Sequence, residues 1–257
     1  MSPLSVLRVA RRSLGTLTLT SIFARQQSSL TTELIENMDK KATWDRFYTE
    51  NSSSNFKNFE WFFGFDSVRD FVLPLLQPQT RTATPLHVLD MGCGTSALGP
   101  SIYQHSSVQV TVTCADISPI AVRLMREHVA AKAIEPHHPL SMLGFLELDC
   151  REMFAHFGAD GLDLIVDKGT TDALLRSKDG SGKAGHVVRQ CLRTLRGSGR
   201  LLQFSDEDPD ARLLWLETEG REPGERPAQV AVQEVGELRG VRYYCYQVTS
   251  PPVAELL

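Results

Sequence analysis

The stretch Leu86 to Gly99, LHVLDMGCGTSALG, constrains this chain more than any other. A short strand-forming run enters a Gly-x-Gly turn, and the turn enters a helix start. Gly92 and Gly94 let the backbone bend sharply and approach a ligand with no Cβ in the way. Such a unit belongs to a parallel sheet whose ligand lies beyond the carboxyl ends of the strands. The rest of the chain agrees. Strands are predicted over 86–90, 108–115, 143–148, 162–167 and 199–205, and helices near 96–104, 119–133, 151–157 and 184–195. This alternation predicts βαβ units with helices on both faces of the sheet. AQVAVQEV and VRYYCYQVT, joined across GELRG, predict a terminal hairpin. The expected fold class is α/β, a doubly wound, mostly parallel seven-stranded sheet with a C-terminal antiparallel hairpin.

The ligand is narrowed by Asp90, two residues before the first glycine. A carboxylate there repels a dinucleotide's pyrophosphate, which argues against a nicotinamide-dependent dehydrogenase. It suits a cationic or hydrogen-bond-donating ligand. S-adenosylmethionine meets that condition, because it has no phosphate and carries an ammonium and a sulfonium beside an adenosine. A second acid should then end the next strand to accept from the ribose hydroxyls, and Asp116 in VQVTVTCADISP stands there. Ser118 is a candidate helix cap, with Pro119 in the first helical position. A third acid, Asp149, ends LGFLELDC, where the adenine amino group of such a ligand would lie. The expected cofactor residues are Asp90, Gly92, Gly94, Asp116 and Asp149.

Composition bounds the setting. The net charge of −4 gives no electrostatic basis for holding nucleic acid. Residues 1–32 contain four arginines, no lysine and no acid, the composition of a mitochondrial presequence. The expected organisation is a transit peptide over 1–30, a helical and aromatic cap over 31–85, and the catalytic domain over 86–250. No apolar run reaches the ~18 residues of a membrane span. The five cysteines lack a Cys-x-x-Cys pair, and neither they nor the histidines and acids show metal-ligand spacing. No metal is expected.

These motifs resemble the class I, seven-strand S-adenosylmethionine-dependent methyltransferases, which are Rossmann-like. FEWFFGFDSVRDFVLPLLQ, VLDMGCGTSALG, LIVDKGTTDAL, LLQFSDEDPDARL and VAVQEVGELRGVRYYCY are similar, more narrowly, to the mitochondrial citrate synthase-lysine N-methyltransferases. The resemblance runs from about Phe59 to Tyr246. It implies a protein substrate, citrate synthase, and a place in the mitochondrial matrix. The spacing itself implies only a methyltransferase.

A sulfonium is already an activated electrophile, so the chain must supply positioning and a deprotonated nucleophile. Desolvation helps a lysine ammonium lose its proton. Asp167, ending LIVDKGTTDAL, could accept from or orient the amine. Equally, it could be a turn carboxylate paired with Lys168 or capping a helix from Thr170. Trp61 is the candidate pocket residue in the block Trp61, Phe62, Phe63, Phe65, whose other members are expected to pack against the sheet. Asp206, Glu207, Asp208 and Asp210 are expected at the rim, solvated or facing a basic protein surface. No Asn/Asp-Pro-Pro-aromatic turn is present, which disfavours amide and aminopurine substrates. Two other functions fit the motifs, a mitochondrial small-molecule methyltransferase and a cofactor-binding assembly factor without turnover.

Overall fold

The computed structural model describes residues 34–51, 57–77, 84–219 and 228–250. The expected transit peptide, the polar hinge Ser52 to Asn55 and most of the loop 77–85 lie outside the described residues.

β1 (Leu86–Met91), β2 (Val110–Asp116), β3 (Met142–Glu147), β4 (Leu162–Lys168), β5 (Leu195–Ser205), β6 (Gln229–Leu238) and β7 (Val241–Thr249) form one sheet. Their order is β3-β2-β1-β4-β5-β7-β6. The first five strands pair in parallel, and β7 runs antiparallel between β5 and β6. The chain leaves β1 toward β2 on one side and comes back to β4 on the other. The switch point therefore opens at the carboxyl ends of β1 and β4.

The helices are α1 (Lys41–Glu50), α2 (Arg69–Val72), α3 (Leu98–His105), α4 (Pro119–Lys132), α5 (Met153–Phe157), α6 (Thr170–Arg176), α7 (Gly180–Thr194) and α8 (Pro209–Thr218). Alternate strand residues feed opposite layers, as a period of two requires. Val88 packs with Leu98 and Ile102 of α3 and with Val112, Leu164 and Phe204. Its neighbour Leu89 packs with Val187, Val188 and Cys191 of α7. β4 is buried almost throughout, as a central strand covered on both faces should be. α4 begins as its sequence predicts: Ser118 Oγ accepts from the Ala121 amide and Pro119 follows. Ala133 in left-handed backbone (φ 48°) ends it. The hairpin turns at Arg239 and Gly240, both left-handed, which matches the twist of the strands it joins.

Three elements depart from expectation. β5 starts at Leu195, where the predicted helix ends and ahead of the predicted strand start at 199; Leu195 pairs with Leu162 across a register shift. α6 is absent from the ranges predicted above, although a helix from Thr170 is one reading of the turn at Asp167; its start, Gly169, has φ 97° and no capping side chain of its own. α8 occupies the run expected to be an acidic rim. Asp208 accepts from the Asp210 amide as its cap, and Pro209 takes the first position.

Candidate active site

A cleft with about 840 Å³ of free space, part of it open to solvent, lies at the switch point. Its wall combines Gly92, Asp116, Ile117, Leu148 and Asp149 from the first three strand ends with Lys168, Gly169 and Thr170 from the fourth. Trp44, Tyr48, Trp61 and Phe62 of the cap face these loops across it. Four sequence-predicted residues, Trp61, Gly92, Asp116 and Asp149, thus line the same cleft. Asp90, Gly94 and Asp167 are not part of that wall.

Asp116 Oδ2 accepts from the Gly94 amide and Oδ1 from the Ser118 amide, each at 2.8 Å. The carboxylate thereby fixes the glycine-rich loop relative to the start of α4. Burial pushes its pKa up to about 6, although the two amides favour the charged form. Asp90 is 2% exposed, and its Oδ2 accepts from the Gly99 amide in the first turn of α3 at 2.9 Å. Burial raises it to about 7 against the opposing charge of Lys168. Asp149 is the exception. Burial pushes it up, but the Arg151 guanidinium, bonded to both its oxygens, holds it below the usual carboxylate range.

Asp167 is 1% exposed and all its bonds turn inward. Oδ1 accepts from the amides of Thr170 and Thr171 at 2.9 and 3.3 Å. Oδ2 accepts from the Thr171 hydroxyl and, at 3.0 Å, from Gln203 Nε2. It caps α6 from the preceding strand. Lys168 does not pair with it. Lys168 Nζ donates instead to Glu60 Oε2 at 2.8 Å and to the Trp61 carbonyl at 2.9 Å, with its side chain 4% exposed. Glu60 also accepts from the Ser96 hydroxyl and the Ala97 amide, both at 2.7 Å. One carboxylate therefore joins the glycine-rich loop, the β4 turn and the aromatic segment.

That segment is a strap. The Phe59 amide and Asn58 Nδ2 donate to the Thr95 carbonyl at 3.2 and 3.0 Å. The Phe63 amide donates to the Trp61 carbonyl at 2.9 Å, closing a three-residue turn around Phe62 at φ 67°. A left-handed aromatic residue stores backbone strain of about 1–3 kcal/mol, which the surrounding bonds must hold in place. Phe63 and Phe65 join the core, as expected for the majority of the block. Trp61 and Phe62 face the cleft. Behind them, Trp61, Phe59, Phe47 and Trp44 form edge-to-face contacts with ring centroids 5.2–6.0 Å apart. Tyr48 presses on Gly94, where a Cβ would lie 2.4 Å from its hydroxyl.

The sequence reading missed Glu60, Tyr48 and the true partner of Lys168. No local pattern could supply them, because each contact spans dozens of residues. The rim also differs: the Asp206 side chain is 1% exposed and bonded to Arg176, so it is no solvated rim charge.

The cleft fits the cofactor its sequence implies. Asp116 faces it as a hydrogen-bond acceptor, apolar Ile117 and Leu148 offer flat walls, and Gly92 leaves backbone room. Residues 84–213 match a family model described as a methyltransferase domain. The mitochondrial citrate synthase-lysine N-methyltransferase of Danio rerio is 63% identical over 225 residues, 87% of this chain and 88% of that protein. Its Homo sapiens counterpart is 39% identical over 212 residues, 81% of this chain and 85% of that protein. A solved precorrin-6y C5,15-methyltransferase from Geobacter metallireducens shares the fold at a TM-score of 0.50 and 14% identity, covering 77% of this chain and 96% of that one. Among the described residues no helix is long and apolar enough to cross a membrane. The chain belongs to the S-adenosylmethionine-dependent methyltransferases, in the family of the citrate synthase-lysine N-methyltransferases.

Proposed function

We propose that this chain transfers a methyl group from S-adenosylmethionine to a lysine of citrate synthase in the mitochondrial matrix. The observation that carries this reading is the identity shared with the Danio rerio relative along nearly its whole length. The acid-free arginine segment supports the compartment. The bound cofactor supplies a sulfonium-activated methyl group.

The residues divide the remaining work. With the cofactor bound, Asp116 would hold the ribose hydroxyls, and Ile117, Leu148, Asp149 and Arg151 would hold the adenine end. Gly92 lets the loop close on the ligand. Asp90 and Gly94 act from behind the wall by fixing the loop through Gly99 and Asp116. Asp167 acts through the β4 turn, as a positioning residue. Trp61 and Phe62 cover the approach of the amine. Excluding water there disfavours the charged ammonium and so promotes the neutral nucleophile. Purified citrate synthase and radiolabelled donor test the reading: label should enter protein at lysine. Label found only in small metabolites of a matrix extract would replace the substrate class, and cofactor binding without any transfer would remove the enzyme.

The raised carboxyls give a pH dependence with two opposite signs. In the ligand-free fold Asp90 and Asp116 hold their protons more tightly than an exposed carboxyl of pKa 3.8. Their contribution to stability is therefore fully present below about pH 4 and is lost as pH rises through about 6 and 7. Cofactor affinity should run the other way, since ribose hydroxyls need the ionised Asp116. Below about pH 6 it should fall toward tenfold per pH unit, and Asp116→Asn should flatten the profile while weakening binding by about 1–3 kcal/mol. Calorimetry between pH 5 and 8 checks this; an affinity independent of pH in the parental chain would remove Asp116 from the ribose.

A further inference from the structure

The cleft wall at Arg176 is backed by more buried charge than packing requires. Arg176, at the end of α6, forms part of the cleft wall, and its Nη2 donates to Asp206 Oδ1. Asp206 Oδ2 has no hydrogen-bond partner among the described residues, although its side chain is 99% removed from solvent. One layer deeper, Arg212 Nη2 donates to Asp172 Oδ1 and, at 2.8 Å, to Ser205 Oγ. Asp172 Oδ2 and the Nε and Nη1 of Arg212 are likewise without partners. Burying such pairs with orphaned atoms costs more than an apolar cluster of equal volume, so the arrangement calls for a reason other than stability. The aromatic wall continues to this point: Phe62 lies 5.1 Å from Tyr243, centroid to centroid. Tyr243 is itself raised by burial and by the charge of Asp206.

We propose that Asp206 is the carboxylate that receives the ammonium of the substrate lysine and then takes its proton, leaving the neutral amine for methyl transfer, and that Arg176 occupies this place until the lysine arrives. The inference rests on the lysine reading above. Arg176 is the more exposed partner, with 18% of its side chain accessible, and its long stem can carry the guanidinium outward. One cation replaces another, so the buried charge stays constant during the exchange and Asp206 is never left uncompensated. A neutral acceptor has nothing to offer Asp206 and cannot displace Arg176. The pair therefore selects a cationic side chain before any methyl transfer, a rejection built into the pair itself.

Three variants test this, Asp206→Asn, Arg176→Gln and the two together, each assayed for thermal stability, cofactor affinity and the Michaelis constant for citrate synthase. Asp206→Asn should raise that constant about tenfold or more with cofactor affinity nearly unchanged. The double variant, in which two amides can pair, should recover stability and keep the raised constant. Recovery of the parental constant in the double variant would make the pair structural. A loss of cofactor affinity of about tenfold in Arg176→Gln would assign Arg176 to the cofactor instead. If the parental chain labels no lysine of citrate synthase, the functional reading fails first and takes this inference with it.

Discussion

Gly92→Ala is expected to abolish cofactor binding and to lower the stability of the fold by about 2–4 kcal/mol, more than any other single methyl group added to the site. Gly92 has φ 63°, where a Cβ costs about 1–2 kcal/mol on backbone grounds. The added carbon would also stand 1.9 Å from Thr170 Oγ1. Thr170 cannot move aside cheaply. Its hydroxyl donates to the Met91 carbonyl at 3.0 Å, and its amide is held by Asp167. Relief must come from shifting the glycine loop or the start of α6, and either shift spoils the cleft. Denaturant unfolding with donor calorimetry measures both effects. Parental stability and affinity in Gly92→Ala would mean that the β4 turn is far softer than its bonds imply.

The second large effect is expected at Glu60. Glu60→Ala removes the acceptor of three donors at once and leaves Lys168, whose side chain is 4% exposed, without its counter-charge. Breaking one side of a buried pair costs about 3–5 kcal/mol; Glu60 is itself 24% exposed, so about 2–3 is expected here. The strap should loosen, because what remains of its attachment is Phe59 and Asn58 on Thr95, the Lys168 bond to the Trp61 carbonyl and the turn around Phe62. Methyl transfer should fall by at least about a hundredfold, since an open strap admits water and misplaces the aromatic wall. Glu60→Gln keeps an acceptor and should recover part of the stability but little of the rate. Quenching of tryptophan emission by acrylamide reports the strap directly. If emission and turnover are unchanged in Glu60→Ala, the strap is held by its bonds to Thr95 and by aromatic packing, without Glu60.

What could be read from the sequence was whatever the chain states locally. The period of the strands, the Gly-x-Gly turn, the cap at Ser118 and the acid ending β2 each depend on residues within a few positions. The structure places Gly92, Asp116 and Asp149 together as those patterns imply. Lys168 shows the limit. Its neighbour in sequence is Asp167, and pairing the two was a reasonable expectation, but successive strand residues point to opposite faces. Asp167 turns toward Gln203 and α6, while Lys168 reaches a glutamate 108 residues earlier. In Asp206-Glu207-Asp208-Pro209-Asp210 the helix start is legible beneath the charge. Aspartate followed by proline is a helix start, and charge density obscured it.

The contact between Tyr48 and Gly94 ties together two positions 46 apart in the chain. While the tyrosine hydroxyl is present, a side chain at position 94 requires the buried Tyr48 ring to shift. Without the hydroxyl, the nearest ring carbon would stand 3.4 Å from an added Cβ, an ordinary separation. Only the left-handed backbone would then oppose alanine. The order of change is therefore constrained: a lineage that lost the glycine first would damage its cofactor loop, whereas one that first acquired phenylalanine at 48 could try alanine at 94 at a much smaller cost. Drift in a residue of the cap thus sets which substitutions the catalytic domain can survive.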